Sequence, residues 1–355
     1  MKIVLYRKCF DLEYFTQRDK GWCIMDNNFR AVVVREEDGI VSHAIENITT
    51  EMLSEGDVLI KVAYSSVNYK DMLAVQTKGG VIRNYPMIPG IDLSGTVVSS
   101  ENGKFKVGQE VLVTGFQTGM THTGGFSEYV RIPSEWVVAL PKGLSHRDAM
   151  VIGTAGFTAA LSIMTLESKG MSPDKDQEIL VTGASGGVGS VAVQLLKESG
   201  YKNVHALARE ESETEQLLSI GASSVILASD ILPEKPKVLD RQKFHYVLDV
   251  VGGDVASGLL PQIYYGGSMS MCGNAGGIKI GTTVMPFILR GVSVLGVDSV
   301  SFPIEERDAI WERFAGEWHI MSEALVKDIV MEELSGVFES VKAGTHTGRH
   351  VLKML

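Results

Sequence analysis

Glu178-Ile-Leu-Val-Thr-Gly-Ala-Ser-Gly-Gly-Val-Gly-Ser190 decides how the rest of the chain is read. Ile179 to Thr182 are apolar or β-branched, the composition of a short buried strand. Gly183, Gly186, Gly187 and Gly189 then build a turn, and Val191-Ala-Val-Gln-Leu-Leu196 shows the apolar spacing of a helix. Strand, glycine turn and helix in that order open a βαβ unit. Its glycines let the backbone approach a pyrophosphate, and the helix start offers free N–H groups to it. The strict G-x-G-x-x-G is not met, because Ala184 takes the first position and Gly186 and Gly189 the other two. The flanking strand and helix supply the context that a bare glycine motif lacks. Ala184, Ser185, Gly186, Gly187, Val188 and Gly189 are therefore expected to touch a dinucleotide.

Outward from this unit, strands and helices alternate to about Val300. Val204–Leu207, Ser224–Leu227, Tyr246–Val251, Gly267–Cys272 and Val292–Leu295 read as further strands, and Glu213 to Ile220 as a helix stopped by Gly221. The alternation predicts an α/β class with a Rossmann-type, doubly wound parallel sheet over 151–302. Towards the N-terminus the pattern changes. Phe29–Val34, Val58–Tyr64, Gly95–Val98, Glu110–Val113 and Glu128–Ile132 are short strands between turn signals, the signature of a β-rich, barrel-like domain. Pro141 and Ser145 open a helical region running from Ala149 to Leu166, and Gly153-Thr-Ala-Gly156 within it indicates close packing. After Pro303 the sequence predicts one helix, Ile304 to Trp318, and a mixed tail ending in the strand His350–Lys353. That tail is expected to rejoin the β-rich part, giving one domain from 26–150 and 303–355. Residues 1–25 lack a clean period and read as an N-terminal extension outside the fold, the alternative being an extra hairpin on its edge.

Bulk properties exclude several classes. The chain of 355 residues is 45% hydrophobic and 21% charged, normal for a globular protein with a full core. Its formal net charge of −10 argues against nucleic acid or an acidic membrane as partner. The three cysteines, Cys9, Cys23 and Cys272, are far apart with no C-x-x-C, so neither a disulfide framework nor a cysteine-rich zinc site is expected. No run of about 18 apolar residues predicts a membrane span. The first residues mix charges of both signs without an apolar core, unlike a secretory signal. A reducing cytoplasm is the expected compartment.

Several stretches together resemble one family. They are Ser66-Val-Asn-Tyr-Lys-Asp71, Arg83-Asn-Tyr-Pro-Met-Ile-Pro-Gly-Ile-Asp-Leu-Ser-Gly95, Gly124-Gly-Phe-Ser-Glu-Tyr129 and Gly153-Thr-Ala-Gly-Phe-Thr-Ala159. The glycine turn, Cys272-Gly-Asn-Ala-Gly-Gly277, Thr282–Val292 and Gly296-Val-Asp-Ser299 complete the set. From about Phe29 to its end the chain resembles the medium-chain dehydrogenase/reductases, and within them the YhdH/YhfP-type quinone oxidoreductases, the group that includes acrylyl-CoA reductase. The resemblance implies a GroES-like catalytic domain, an NADP-binding Rossmann domain and a cleft between them.

Many relatives in that superfamily are zinc alcohol dehydrogenases with G-H-E where this chain has Gly90-Ile91-Asp92. Isoleucine cannot ligate a metal, and no cysteine stands near Asn68, the place of the family's first ligand. No metal residues are therefore expected. Without a Lewis acid, hydride transfer to an already activated double bond fits better than reduction of a simple ketone. For the cofactor, the position 19 beyond Gly189 is Ala208, with Arg209 next to it and no carboxylate where an NAD enzyme would hold the ribose 2′-hydroxyl. Ala208 and Arg209 thus favour the 2′-phosphate of NADPH, although Glu210 and Glu211 follow and would serve NADH if the loop were shifted.

The resemblance places Tyr69 beside the nicotinamide, where its phenol would donate a hydrogen bond to an enolate oxygen or relay a proton. By composition alone it is equally a core tyrosine. Asp71 is the second catalytic candidate, the alternatives being a loop-orienting group or a helix cap. Thr154, Asn274, Ile288 and Ser299 fall in segments that resemble cofactor-contacting ones, and each also reads as an ordinary structural residue. Asp249 ends a sheet strand, where ligands lie in this architecture. Arg83 and Arg349 would meet an acyl-CoA or lie solvated on the surface, the commoner case for arginine. His122 precedes Gly124-Gly125 without metal spacing. Met285 and Pro286 belong to an apolar segment that pairs subunits in relatives, which implies a homodimer. The expected activity is an NADPH-dependent reduction of a conjugated carbonyl, an acryloyl-CoA-like thioester first and a quinone second. The rival from another class is a non-catalytic NADP(H)-binding redox sensor.

Overall fold

The computed structural model describes residues 15–18, 21–24 and 28–354, apart from 236, 319, 321 and 322. A parallel sheet of six strands runs in the order Ser224–Leu227, Asn203–Ala208, Glu178–Val181, Phe244–Asp249, Ile263–Met271, Ser293–Gly296. The chain starts in the middle at Glu178–Val181, steps outward one way, then returns and steps outward the other way. The order therefore reverses between Glu178–Val181 and Phe244–Asp249. In doubly wound sheets the ligand crevice opens at the carboxyl ends of the strands at this reversal. Thr182 and Asp249 stand there, and the glycine turn follows directly. Both faces of the sheet are covered. Ile179 and Val181 pack into one cluster with Val191 and Leu195, while Leu180 packs into another with Val247 and Leu259. Successive residues point to opposite faces of a strand, so a strand buried on both sides needs an unbroken apolar run.

The second large sheet has seven strands, and the tail completes it. Arg349–Lys353 pairs antiparallel with Val58–Ser66, Val351 opposite Ser66, and parallel with Val326–Ile329. Val58–Ser66 in turn pairs with Asp92–Ser100 and Tyr129–Ile132. Two hairpins stand apart from both sheets. Phe29–Glu37 pairs with Ile40–Ile48, and Phe15–Arg18 with Gly21–Ile24. Apart from that short ribbon, the expected extension over 1–25 lies outside the described residues.

The helix His146–Glu167 joins the two sheets. Ser145 Oγ accepts the Asp148 N–H at 3.1 Å and the Asp148 carboxylate accepts the Ser145 N–H at 3.2 Å, a reciprocal cap at its start. By length and composition this is a helix that could cross a membrane, although its sequence holds no unbroken apolar run of that length. Its residues Ala149, Phe157, Ala160 and Ile163 are fully buried in a core shared with Leu112 of one sheet and Val181 of the other. Trp311 and Phe314 of the helix Ile304–Ala315 join the same core. The apolar length is thus explained by packing between two layers. At Gly153 the helix breaks, with φ 50° and ψ −159°.

Candidate active site

The glycine turn is tight enough to exclude side chains. Gly183 has φ +56°, and a Cβ on Gly189 would lie 2.2 Å from the Gly183 carbonyl oxygen. A Cβ on Gly187 would come 3.3 Å from a guanidinium nitrogen of Arg349. Ala184 is buried below the turn, and Val188 is half-buried in the first turn of the helix Gly187–Glu198. The N–H groups of Gly187, Val188 and Gly189 open that helix and have no intrahelical partner, so they suit a pyrophosphate. Ser185 is tied on two sides. Its hydroxyl donates to Glu213 Oε1 at 2.6 Å, and its carbonyl accepts the Gly348 N–H at 2.8 Å. The donor geometry and the missing side chains fit a dinucleotide.

Beneath the turn lies a buried charge cluster built on the break at Gly153. A broken helix frees carbonyls before the break and N–H groups after it. Arg349 takes the carbonyls, donating from Nε to Val151 at 2.9 Å and from a terminal nitrogen to Met150 at 3.3 Å. Asp92 takes the N–H of Thr154 at 2.9 Å and also its hydroxyl. The same carboxylate accepts Ser66 Oγ and Asn68 Nδ2, each at 2.8 Å, and lies 4.0 Å from Arg349. A Cβ at Gly153 would sit 2.5 Å from Asp92 Oδ2 and 2.7 Å from Arg349, so glycine is required for space as well as for φ. Arg349 is only 3% exposed, which corrects both its expected roles: it is neither a surface arginine nor placed to meet a substrate directly. Burial lowers its pKa, and the Asp92 and Asp71 carboxylates oppose the fall.

Asn68 and Tyr69 lead from this cluster to the surface. Tyr69 opens the helix Tyr69–Ala74 and is 44% exposed, so the core-tyrosine alternative fails. Asp71, by contrast, is fully buried. It accepts the N–H groups of Asn68 at 2.8 Å, Ile91 at 3.0 Å and Gly90 at 3.2 Å. Burial pushes its carboxyl up to about 7, helped by the Asp92 carboxylate and opposed by the N–H bonds. With its acceptor sites turned to backbone, Asp71 positions the Tyr69 helix against the Gly90-Ile91 loop, which corrects its expected catalytic contact. Lys70, which sequence reasoning passed over, is half-buried. Burial lowers its pKa, while Asp298 of the opposite domain and Asp71 raise it.

The late loops divide. Ser299 is 8% exposed and accepts the Thr158 hydroxyl at 2.6 Å, so it is anchored to the junction helix. Arg307 locks that loop in place. Its guanidinium donates to the carbonyls of Ser299 at 2.9 Å, Val300 at 3.1 Å and Thr114 at 2.9 Å, and lies 4.4 Å from the Phe116 ring centre. Burial brings its pKa down to about 10. No local pattern announces such an arginine; only its place on the inner face of an amphipathic helix hints at it. Asn274 is exposed in the loop that rests on Gly252 and Gly253. Ala208 is buried and Arg209 exposed at the end of their strand, beside the turn through Glu213.

Other candidates stand elsewhere. Ile288 is 67% exposed on the helix Met285–Arg290, which leads into the far edge strand of the parallel sheet. Pro286 is buried on that short helix and Ile288 exposed. Asp249 is buried and accepts Thr182 Oγ1 at 2.7 Å and the Gly252 N–H at 2.9 Å, a tie between strand ends. His122 is 7% exposed and lies within 2.8 Å of the Glu55 carbonyl. Arg83 is exposed in its loop.

A catalytic zinc does not fit the donors. Ile91 is buried and apolar, and the Asp92 oxygens are held by Ser66, Asn68 and Thr154. Burial pushes the Cys272 thiol up to about 12, against the thiolate that zinc needs. Among the described residues no group of three or more His, Cys, Asp or Glu is placed to hold a metal ion.

The same architecture recurs in known proteins. Residues 54–142 match the alcohol dehydrogenase GroES-like domain, and residues 187–316 match the family described as zinc-binding dehydrogenase. The chain is 39% identical to the acrylyl-CoA reductase AcuI of Ruegeria pomeroyi, covering 91% of this chain and 98% of that one. The crystal structure of YhdH from Escherichia coli K-12 with bound NADPH superposes with a TM-score of 0.86 at 44% identity, over 91% of this chain and 99% of that one. The structure of Bacillus subtilis YhfP with NAD bound gives 0.87 at 42% identity, over 92% and 99%.

Proposed function

Since the chain belongs to the medium-chain dehydrogenase/reductase family, in the group that holds YhdH, YhfP and AcuI, we propose that it is a zinc-independent, NADPH-dependent reductase of an activated carbon–carbon double bond. The substrate class is an α,β-unsaturated thioester of the acryloyl-CoA kind. One observation carries the reading. The glycine turn lies directly over the Asp92–Arg349 cluster, and in that cluster the Asp92 carboxylate is taken up by donors from Ser66, Asn68 and Thr154. Such a site suits a dinucleotide but, among the described residues, offers no donor set for a metal that would polarise an isolated carbonyl, so an acceptor polarised by its own structure fits it.

The first-turn N–H groups of Gly187 to Gly189 hold the pyrophosphate. Arg209, with its side chain 63% exposed and its guanidinium 3.8 Å from Glu213, would meet the 2′-phosphate. Bound NADPH supplies the hydride. A hydride added to the β-carbon would push the electron pair of the double bond towards the thioester oxygen, and water would supply the proton that the α-carbon then gains. Tyr69 donates a hydrogen bond to the oxygen that gains charge, and Lys70 adds a positive field from the next position. Asp71, Asn68 and Asp92 hold this helix start in register with Thr154 and the glycine turn. Tyr69→Phe should lower kcat by about 10²-fold, the lower end for loss of a proton-donating side chain. Its Kd for NADPH should change little. A weakened Kd with unchanged kcat would remove Tyr69 from the chemistry.

The same reading includes a homodimer. Ser293–Gly296 ends the parallel sheet with one side unpaired, and Ile288, Leu289 and Val294 are exposed beside it at 67%, 56% and 37%. An open apolar edge of this kind invites pairing with another chain, and a second copy placed across a two-fold axis would continue the sheet. Light scattering should give twice the chain mass, and Ile288→Glu should shift it towards the monomer. A monomeric wild-type protein at micromolar concentration would refute this part.

A further inference from the structure

The strand Asn203–Ala208 ends beside the glycine turn, at the place where a Rossmann sheet meets the adenosine ribose. Sequence spacing pointed to Glu210 and Glu211 as the acids near that place, and both are exposed. The short turn Glu211–Glu213 brings a third carboxylate inward instead. Glu213 Oε1 accepts the Ser185 hydroxyl at 2.6 Å, and Oε2 accepts the Arg209 N–H at 2.8 Å and the Glu210 N–H at 3.5 Å. The Arg209 guanidinium lies 3.8 Å from Oε1. The Glu213 side chain is 12% exposed, against 63% for Arg209. A turn hydroxyl, two backbone N–H groups and a guanidinium converging on one point make an anion site, and the chain fills it with its own carboxylate.

We propose that Glu213 sets the balance between the two nicotinamide dinucleotides: its carboxylate takes donors that a ribose 2′-phosphate would use, and it accepts the 2′-hydroxyl of NADH. The inference rests on the cofactor-binding part of the function given above. A 2′-phosphate arriving beside Arg209 meets a second negative charge a few ångströms away. Like charges at that range repel appreciably at a half-exposed site. NADH carries a hydroxyl at the same position, and a carboxylate is a strong acceptor for it. Burial favours the neutral acid, yet the bonds from Ser185, Arg209 and Glu210 hold the Glu213 carboxyl below its ordinary value. The repulsion is therefore present throughout the neutral range. The enzyme keeps NADPH as its cofactor through Arg209, with a narrower margin over NADH than Arg209 alone would give.

The test is equilibrium binding of NADPH and NADH to the full chain, followed by nucleotide fluorescence with no substrate present. Glu213→Gln keeps size and most hydrogen bonds but removes the charge; Glu213→Ser is the second variant should the first be poorly folded, which a thermal melt reports. The ratio of Kd for NADH to Kd for NADPH should rise by roughly tenfold, the scale of one removed like charge near the surface. A cap that only stabilised the turn would shift both constants by the same factor, and that result, or no shift, overturns the proposal. Wild-type protein that binds neither nucleotide overturns it together with the cofactor reading. Normal binding with an unchanged ratio in the variants overturns the role of Glu213 alone.

Discussion

Arg349→Met should lower the melting temperature by on the order of 10 °C, the largest effect expected of any single substitution in the cluster. The guanidinium is 3% exposed and is the donor for the carbonyls of Val151, Met150 and Val67. Its removal leaves two freed helix carbonyls without their donor and the fully buried Asp92 without its counter-charge. Breaking a buried pair from one side costs about 3–5 kcal/mol, and in domains of this size 1 kcal/mol corresponds to about 2–4 °C. Methionine keeps much of the volume, so the loss would be electrostatic more than a packing defect. Adding Asp92→Asn should restore part of the stability, because the uncompensated charge is then gone. The double variant should still bind NADPH poorly, since Arg349 also supports the turn from below at Gly187. Thermal unfolding of the two single variants and the double variant checks the claim. A loss under about 1 kcal/mol for Arg349→Met would place the residue among ordinary surface arginines.

Gly189→Ala should weaken NADPH binding by up to about a hundredfold while leaving the protein folded. The added Cβ would stand 2.2 Å from the Gly183 oxygen, 2.7 Å from its carbonyl carbon and 2.8 Å from Ala184 Cα. All three are backbone atoms, so no side chain can swing aside. The turn must open, and the N–H groups of Gly187 to Gly189 leave their common focus. Overpacking of this kind costs about 1–3 kcal/mol, and about 2.7 kcal/mol taken from binding is a hundredfold in Kd. Gly187→Ala is the comparison. There the new methyl meets the Arg349 side chain at 3.3 Å, which can yield by a few tenths of an ångström. Titration of both variants with NADPH should rank Gly189→Ala well below Gly187→Ala. Equal affinities would mean that the turn does not cradle the pyrophosphate.

The parallel sheet was legible because its strands are short, mostly apolar segments, such as Ile179–Val181 and Val247–Leu248, that alternate with helical ones. Ser224–Leu227 has the bounds its sequence indicates, and Ile304 begins its helix directly after Pro303. Ile40–Ile48 was missed because Ser42, His43, Glu46 and Asn47 break its apolar pattern and half of it faces water. The available signal was Asp38-Gly39, whose φ values of 52° and 78° suit a tight hairpin turn. The cluster under the glycine turn was harder. Arg349 reads as a surface residue by type, and its burial depends on carbonyls freed by a break at Gly153, far away in the sequence. By sequence Asp71 is a catalytic candidate and Asp92 only the last residue of Gly90-Ile91-Asp92, whereas their bonds to Thr154, Asn68 and Ile91 are set by which strands and loops meet. Glu213 escaped because counting along the chain assumes a fixed loop shape and stops at Ala208, and the turn Glu211–Glu213 puts the inward acid five positions further on. Ile288 is a cofactor candidate only by likeness of its segment, and its side chain is 67% exposed.

The central claim is tested most directly by following nicotinamide absorbance while purified protein is offered NADPH with acryloyl-CoA, crotonyl-CoA and a set of quinones, in the presence of a chelator. Rapid oxidation is expected with the unsaturated thioester, insensitive to the chelator and reduced about 10²-fold in Tyr69→Phe. Turnover of quinones alone would move the substrate class. Tight NADPH binding with no oxidation by any acceptor, or activity that the chelator abolishes and zinc restores, would contradict it.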